Sequence, residues 1–431
     1  MPQELHTARG RQGMTLEVEV TAMTFGPYAL ARASDGRTVM VPNAAPGDRL
    51  AVSVTAHRRD YDLARIERIL KAGPARREPP CPFLPRCGGC DWQQLDYAAQ
   101  LRAKSGIIAS TLGRSLNIEL ATDALVVPAP SEFAYRSRIR LKADSEGRLG
   151  FFERGSNRLV PIDRCIVAVP EIVLPHEIAT AIGNALGEME LVGAEGREVG
   201  VAYLRRPLKR AEMERMGAAM DKNPALRGLI VHEPARRYVL GDGEIRLEIE
   251  PGLELRADAD LFSQVNQEQN RAMVAAVMEM AGAREGVEIL DLFCGAGNLS
   301  LPAARRGAKV RGIDSDALAV AAAERNARRL GVSTARFIAM DAAQGLQFLA
   351  RARYRPEVVI LDPPRTGAAE LMEPLTRLGP RHIIYVSCDI TTLARDLHAV
   401  VSGRYRVRTV RAFDFFPNTH HVETVVHALL T

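Results

Sequence analysis

The sequence predicts an α/β protein with a doubly wound parallel sheet in its C-terminal part, a small N-terminal β-barrel, and a mixed α+β region between them. Three observations predict it. From about residue 270, helical and apolar extended segments alternate: "MVAAVMEMAGA" then "VEILDLF", "SLPAARRG" then "KVRGID", "ALAVAAAERNARRLG" then "ARFIAMD", followed by "EVVILD" and "HIIYVS". Such alternation requires parallel strands with crossover helices on both faces. "YRVRTVRAFDFF" and "VETVVHALL" close the chain as an antiparallel pair. Residues 14–70 instead carry short alternating runs broken at Asp35-Gly36 and Pro46-Gly47-Asp48, the pattern of a small barrel. Residues 125–258 mix strands and helices, with hairpin signals at Ser145-Glu146-Gly147 and Gly241-Asp242-Gly243. The expected units are 11–72, 73–258 and 259–431, with the helical stretch 91–124 placed to pack on the last of them.

Composition narrows the class. A chain of 431 residues with 47% hydrophobic and 25% charged residues is ordinary for a globular protein of two or more domains. It has no run of eighteen apolar residues, and "MPQELHTARGRQG" lacks a signal-peptide core, so a cytoplasmic protein without membrane contact is expected. A net charge of +5 spread over this length does not by itself argue for nucleic acid. Its distribution is more pointed, in "HRRDYDLARIERILKAGPARR" and "AYRSRIRLK", although a solvated face is the plainer reading of either. Six cysteines in a reducing compartment are not expected to form disulfides.

The chemistry concentrates at strand ends. "ILDLFCGAGNLS" is strand, glycine turn and helix start, where Gly295 and Gly297 admit a ligand close to the backbone. Asp314 ends the next strand, placed to accept from both ribose hydroxyls of an adenosine-type cofactor. That pair leaves NAD and S-adenosylmethionine both open. In "VVILDPPRTG" the two prolines stiffen the loop that holds Asp362 at the carboxyl edge of the sheet, and this favours the methyl donor. Cys388 leaves the following strand on the same edge, where helix N-termini can lower a thiol pKa. Glu423 opens the last strand after "FDFFPNTHH", and burial there would raise its pKa to suit a general base.

Taken in order, "LFCGAGN", "ILDPPR", "SCDITTLARDL" and "FPNTHHVE" resemble the S-adenosylmethionine-dependent RNA 5-methyluridine methyltransferases over the whole chain. The resemblance implies a Rossmann-like class I methyltransferase domain and a TRAM barrel, an RNA-binding module similar to an OB fold. It puts the nucleophile on Cys388 and the base on Glu423. It assigns cofactor contacts to Gln264, Phe293, Asn298, Asp314, Asp341 and Asp362. Two positions depart from the family pattern: Asp389-Ile390 stands where Asn-Pro is usual, and Asn418 where His or Gln is frequent. The implied reaction is thiolate attack at C6 of a uracil, methylation at C5, loss of the C5 proton to Glu423, and elimination of Cys388. A monomer acting on a flipped-out uridine is expected.

"CPFLPRCGGC" supplies Cys81, Cys87 and Cys90, with Cys165 a distant fourth. Spacing alone leaves zinc and a [4Fe–4S] cluster about even; the resemblance favours the cluster, serving folding or RNA positioning. Barrel and cysteines together imply 23S ribosomal RNA as substrate, with the transfer RNA T-loop as the alternative. An iron–sulfur or NAD-linked oxidoreductase is the rival from another class, and it leaves Cys388 and Glu423 without work.

Overall fold

The computed structural model describes residues 13–84, 86–194 and 196–431; the expected barrel boundary at 11 lies outside them. Strands β1 (Thr15–Met23), β2 (Tyr28–Ala33), β3 (Thr38–Pro42), β4 (Arg49–His57) and β5 (Asp62–Lys71) close into a barrel of order β1-β2-β3-β5-β4. Alternate residues such as Val18, Val20, Ala29, Ala31, Val39, Val41, Leu50 and Val52 fill its interior, as period-two patterning dictates. The Pro46-Gly47-Asp48 turn is locked by the Asp48 carboxylate. It accepts from the Ala45 and Gly73 amides at 2.7 and 2.8 Å and from Arg76.

Trp92 to Asp96 do not join the helix that follows. Trp92 is buried, donating its indole N–H to Gly26 O, and Asp96 caps α1 (Tyr97–Leu116) by accepting from Ala99 N. Helix α1 then runs along the C-terminal part of the chain. Its Lys104 ammonium is buried against Asp414 Oδ1 at 2.6 Å and against Phe416 O at 3.0 Å. Removing one partner strands a buried charge, so Lys104→Ala is expected to cost about 3–5 kcal/mol, read as a lowered urea midpoint. An unchanged midpoint would contradict this account of the pair.

A two-residue strand, β6 (Val126–Val127), leads to β7 (Arg138–Ala143), β8 (Leu149–Phe152) and β9 (Leu159–Pro161). After α2 (His176–Ile182) come β10 (Leu186–Ala194), β11 (Arg197–Leu204), α3 (Arg210–Asp221), β12 (Leu226–Glu233) and β13 (Arg236–Gly241). These form a seven-stranded sheet of order β13-β12-β11-β10-β7-β8-β9. Ser145-Glu146-Gly147 does turn the β7–β8 hairpin, with Asp144 accepting from the Glu146 and Arg148 amides. Gly241-Asp242-Gly243 does not make a hairpin. It carries the chain to a separate ribbon, β14 (Glu244–Glu250) with β15 (Leu253–Asp258), because Gly228 lets β12 pack directly on the Asp242 backbone. In "AYRSRIRLK" Arg138 is no solvated residue: it is buried on Glu190 and donates to Ala259 O and Leu261 O.

The remaining elements are α4 (Gln267–Ala281), β16 (Glu288–Leu292), α5 (Ser300–Arg305), β17 (Lys309–Asp314), α6 (Ala317–Arg329), β18 (Ala335–Ala339) and α7 (Ala342–Arg351). They continue as β19 (Val358–Leu361), α8 (Ala369–Leu378), β20 (His382–Ser387), α9 (Ile390–Val401), β21 (Tyr405–Phe413) and β22 (Glu423–Leu430). The sheet order is β18-β17-β16-β19-β20-β22-β21-β6, parallel from β18 to β20, with β22 inserted antiparallel beside β20. Apolar cores cover both faces, as a doubly wound sheet requires. Its strand order reverses at β16, next to β19, which opens the crevice where such sheets take ligands. No helix of the described residues is long and apolar enough to cross a membrane.

Candidate active site

Five consecutive parallel strands deliver the predicted residues to one edge. Phe293 follows β16, Asp314 ends β17, Asp341 lies just past β18, Asp362 follows β19 and Cys388 follows β20. The turn after β16 is tight. Phe293 is held at φ +64°, a conformation costly for a bulky residue, with its amide donating to Ile313 O at 2.8 Å. Gly297 has φ +99°, and a Cβ there would come within 2.8 Å of Leu301. Asp314 braces this turn by accepting from Gly295 N at 2.8 Å and Asp316 N at 2.9 Å. Asn298 exchanges two 2.9 Å hydrogen bonds with Asn270 of α4. Asp341 caps α7 through the Ala343 and Gln344 amides. Gln264 donates to Asp362 at 3.4 Å, so the loop before α4 reaches the crevice too.

The crevice is crowded with buried acids. Asp291 beneath it accepts from Ser300 Oγ, and burial, with Asp362 and Asp314 nearby, pushes its pKa up to about 7. Burial raises Asp362 as well, and burial with the Asp362 charge raises Glu423 well above the carboxylate range. Arg365, from the same Pro-Pro-Arg loop, opposes the rise at Glu423.

Cys388 and Glu423 face each other. The β20–β22 register ends at Ser387↔Thr424, so these two are the next residues along it. The expectation of an acidified thiol fails. Burial, then Glu423 and Asp362, push the Cys388 pKa up to about 11, against a smaller opposing pull from the nearby Arg365 guanidinium. The nearby helix N-terminus is already occupied: Asp389 caps α9 by accepting from Thr391 N at 2.9 Å and Thr392 N at 3.0 Å. Asp389-Ile390 is thus a local capping choice.

Sequence reasoning missed Arg365 although the motif containing it was in view; only the fold shows it beside Cys388 and Glu423. It also missed what holds the loop between β21 and β22. Asn418, at φ +66° and buried, donates from Nδ2 to Glu132 O and from its amide to Gln100 Oε1. His421 stays neutral, its pKa depressed to about 3 by burial and by neighbouring His420 and Arg365.

The four predicted metal ligands line one cavity of about 180 Å³, together with Phe83, Gln93, Arg136 and Arg164. Among the described residues no group of three or more His, Cys, Asp or Glu is drawn together tightly enough to hold a metal ion. The residues do fit a larger, anionic group. All four cysteines line the same space, Gly89 N donates to Cys87 Sγ at 3.4 Å, and three arginines, Arg136, Arg140 and Arg164, are at hand to balance negative charge.

Comparison with known proteins follows the same lines. Residues 246–430 match the family model described as tRNA (uracil-5-)-methyltransferase. The 23S rRNA (uracil(1939)-C(5))-methyltransferase RlmD of Pectobacterium atrosepticum is 33% identical, over 94% of this chain and 92% of its own. The enzyme of that name from Pseudomonas putida is 34% identical, over 91% and 88%. The crystal structure of Pyrococcus abyssi tRNA (uracil-54, C5)-methyltransferase with S-adenosyl-L-homocysteine shares the fold. Its TM-score is 0.72 at 24% identity, over 96% of this chain and 99% of its own.

Proposed function

The chain belongs to the RNA uracil-5 methyltransferases, and from that premise we propose that it methylates C5 of a 23S rRNA uridine, with Cys388 as nucleophile and Glu423 as base. S-adenosylmethionine is the methyl donor, which removes the oxidoreductase reading. The observation that carries the proposal is the apposition of Cys388 and Glu423 across β20 and β22, with Arg365 and Asp362 beside them.

In this reading the adenosine lies over the turn after β16. Asp314 takes the ribose hydroxyls, Phe293, Asn298 and Asp341 line the adenosine side, and Gln264 and Asp362 flank the sulfonium end. The uracil enters between Cys388 and Glu423. Cys388 first loses its thiol proton to solvent, the thiolate bonds to C6, and the C5–C6 π pair moves into an enolate that Arg365 can stabilise. C5 then attacks the methyl carbon, whose bond to the sulfonium breaks. Glu423, which must be ionised for this step, takes the C5 proton, the C5–C6 double bond re-forms, and the thiolate leaves. Burial with Glu423 and Asp362 nearby disfavours the reactive thiolate in the free enzyme.

The crowded acids make a further expectation. A sulfonium beside Asp362 and above Asp291 favours their charged forms, so its binding must release protons. Affinity for S-adenosylmethionine should therefore rise from about pH 6 to about pH 8, while that for neutral S-adenosylhomocysteine changes less. Calorimetric titration at the two pH values reads this directly; equal pH dependence for both ligands would contradict it.

Cys81, Cys87, Cys90 and Cys165 would hold a [4Fe–4S] cluster, whose contribution when bound is to staple these chain segments; methyl transfer and elimination balance without any redox step. Exposed Arg49, Arg59, Arg65 and Arg68 on the barrel are placed to track phosphates. The full-length relatives support ribosomal RNA over transfer RNA, and the site would be the counterpart of the uridine numbered 1939 in their names. Incubation with labelled S-adenosylmethionine and unmodified 23S rRNA or tRNA transcripts tests the choice. Label is expected in the rRNA at that uridine; label in tRNA alone would overturn it.

A further inference from the structure

The cysteine cavity is physically joined to the loop that carries the proposed base, and by two separate arms. The first arm leaves Cys90. Asp91 N and Trp92 N both donate to Asn418 O at 3.0 Å, and the Asp91 carboxylate receives His420 Nδ1 at 2.6 Å. Arg154 ties this arm back to the cavity rim, pairing with Asp91 and donating to Cys90 O at 2.9 Å. The second arm leaves Cys165. Val167 O accepts from Tyr135 N and Arg136 N at 3.1 and 2.8 Å, and the buried Tyr135 hydroxyl donates to Pro417 O at 3.0 Å. Arg136 itself lines the cavity.

Both arms end on residues 417–420, and Glu423 begins the strand three residues later. This loop needs holding. Asn418 sits in the left-handed region at φ +66°, which persists only when its surroundings over-determine it. A group bridging the four cysteines would tie both arms to one anchor.

We infer that filling the four-cysteine cavity positions the proposed base, with Asp91 and Tyr135 as the positioning residues that carry order from the cavity to residues 417–423. The inference rests on the assignment of Glu423, but its readout does not. Asp91 and Tyr135 act through the loop and touch no reacting atom.

The experiment is amide hydrogen exchange on anaerobically purified, iron-loaded enzyme, alongside Asp91→Ala, Tyr135→Phe and the chelator-treated wild type. Iron content and visible absorbance should survive in both variants, since neither residue is a ligand. Exchange across 415–424 is expected to rise at least about tenfold in Asp91→Ala and in the iron-free protein, with 383–387 in β20 unchanged. The same variant should lose kcat by about tenfold or more while KM for S-adenosylmethionine moves less than about twofold. Tyr135→Phe should show the smaller exchange increase of a single lost hydrogen bond. If chelation unfolds the protein, the two iron-retaining variants decide. Protection of 415–424 at the wild-type level in both of them would overturn the inference. Loss of protection with kcat unchanged would also overturn it, since loop order would then not be what positions Glu423, which β22 itself pairs with Phe413.

Discussion

Cys388→Ala should lose methyl transfer by at least about four orders of magnitude while binding S-adenosylmethionine as well as the wild type. Uracil C5 has little nucleophilic character until C6 carries a sulfur substituent, so removal of the thiol removes the step that creates the nucleophile. Cofactor affinity should survive because the groups lining the crevice, from Phe293 to Asp362, come from the other strand ends and keep their own bracing. Equilibrium binding and single-turnover methylation separate the two effects. Turnover within about tenfold of wild type would remove the covalent route. Cys388→Ser is expected to be little better, since a hydroxyl beside Glu423 and Asp362 is even harder to ionise than a thiol already pushed up to about 11.

Glu423→Gln should slow turnover by about two to four orders of magnitude, and differently in kind. The amide preserves shape and one hydrogen-bonding oxygen, but it cannot accept a proton from carbon. Attack by Cys388 and methyl transfer precede that proton loss, so both should still occur once. Elimination cannot follow, and methylated RNA should remain bonded to Cys388. His421, two residues away, is a poor substitute base, its pKa held down to about 3. A variant that turns over freely would move the base elsewhere.

Much of the fold was legible because its determinants are local. Alternating helical and apolar segments from α4 to α9 pointed to a parallel sheet, and the period-two patterning of β1 to β4 suggested the small barrel that the structure has. Where a local signal has two meanings the reading failed. Gly241, with φ +73°, serves a passage between sheets as well as it would a hairpin, and only the close approach of Gly228 to Asp242 decides. Strand β6, two residues long, has no periodicity to detect.

The site divides along the same line. Residues at strand ends could be placed from the sequence because the parallel sheet puts every such end on one edge. Electrostatics could not. Whether Cys388 meets a free helix N-terminus depends on Asp389 filling it, and on how closely Glu423 approaches from β22. The bond from His420 to Asp91 spans 329 positions, and the Lys104–Asp414 pair spans 310; neither leaves a pattern in the chain.

The central claim is that one thiol and one carboxylate perform the uracil chemistry in sequence, and mass analysis of the Glu423→Gln adduct tests it most directly. The variant is incubated with unmodified 23S rRNA and S-adenosylmethionine bearing a deuterated methyl group, then digested with nuclease and protease. The account predicts a peptide containing Cys388 that carries a uridine nucleotide plus the labelled methyl, and no such peptide from the Cys388→Ala, Glu423→Gln double variant. A conjugate without the labelled methyl, or a labelled methyl found only in free RNA, would contradict it.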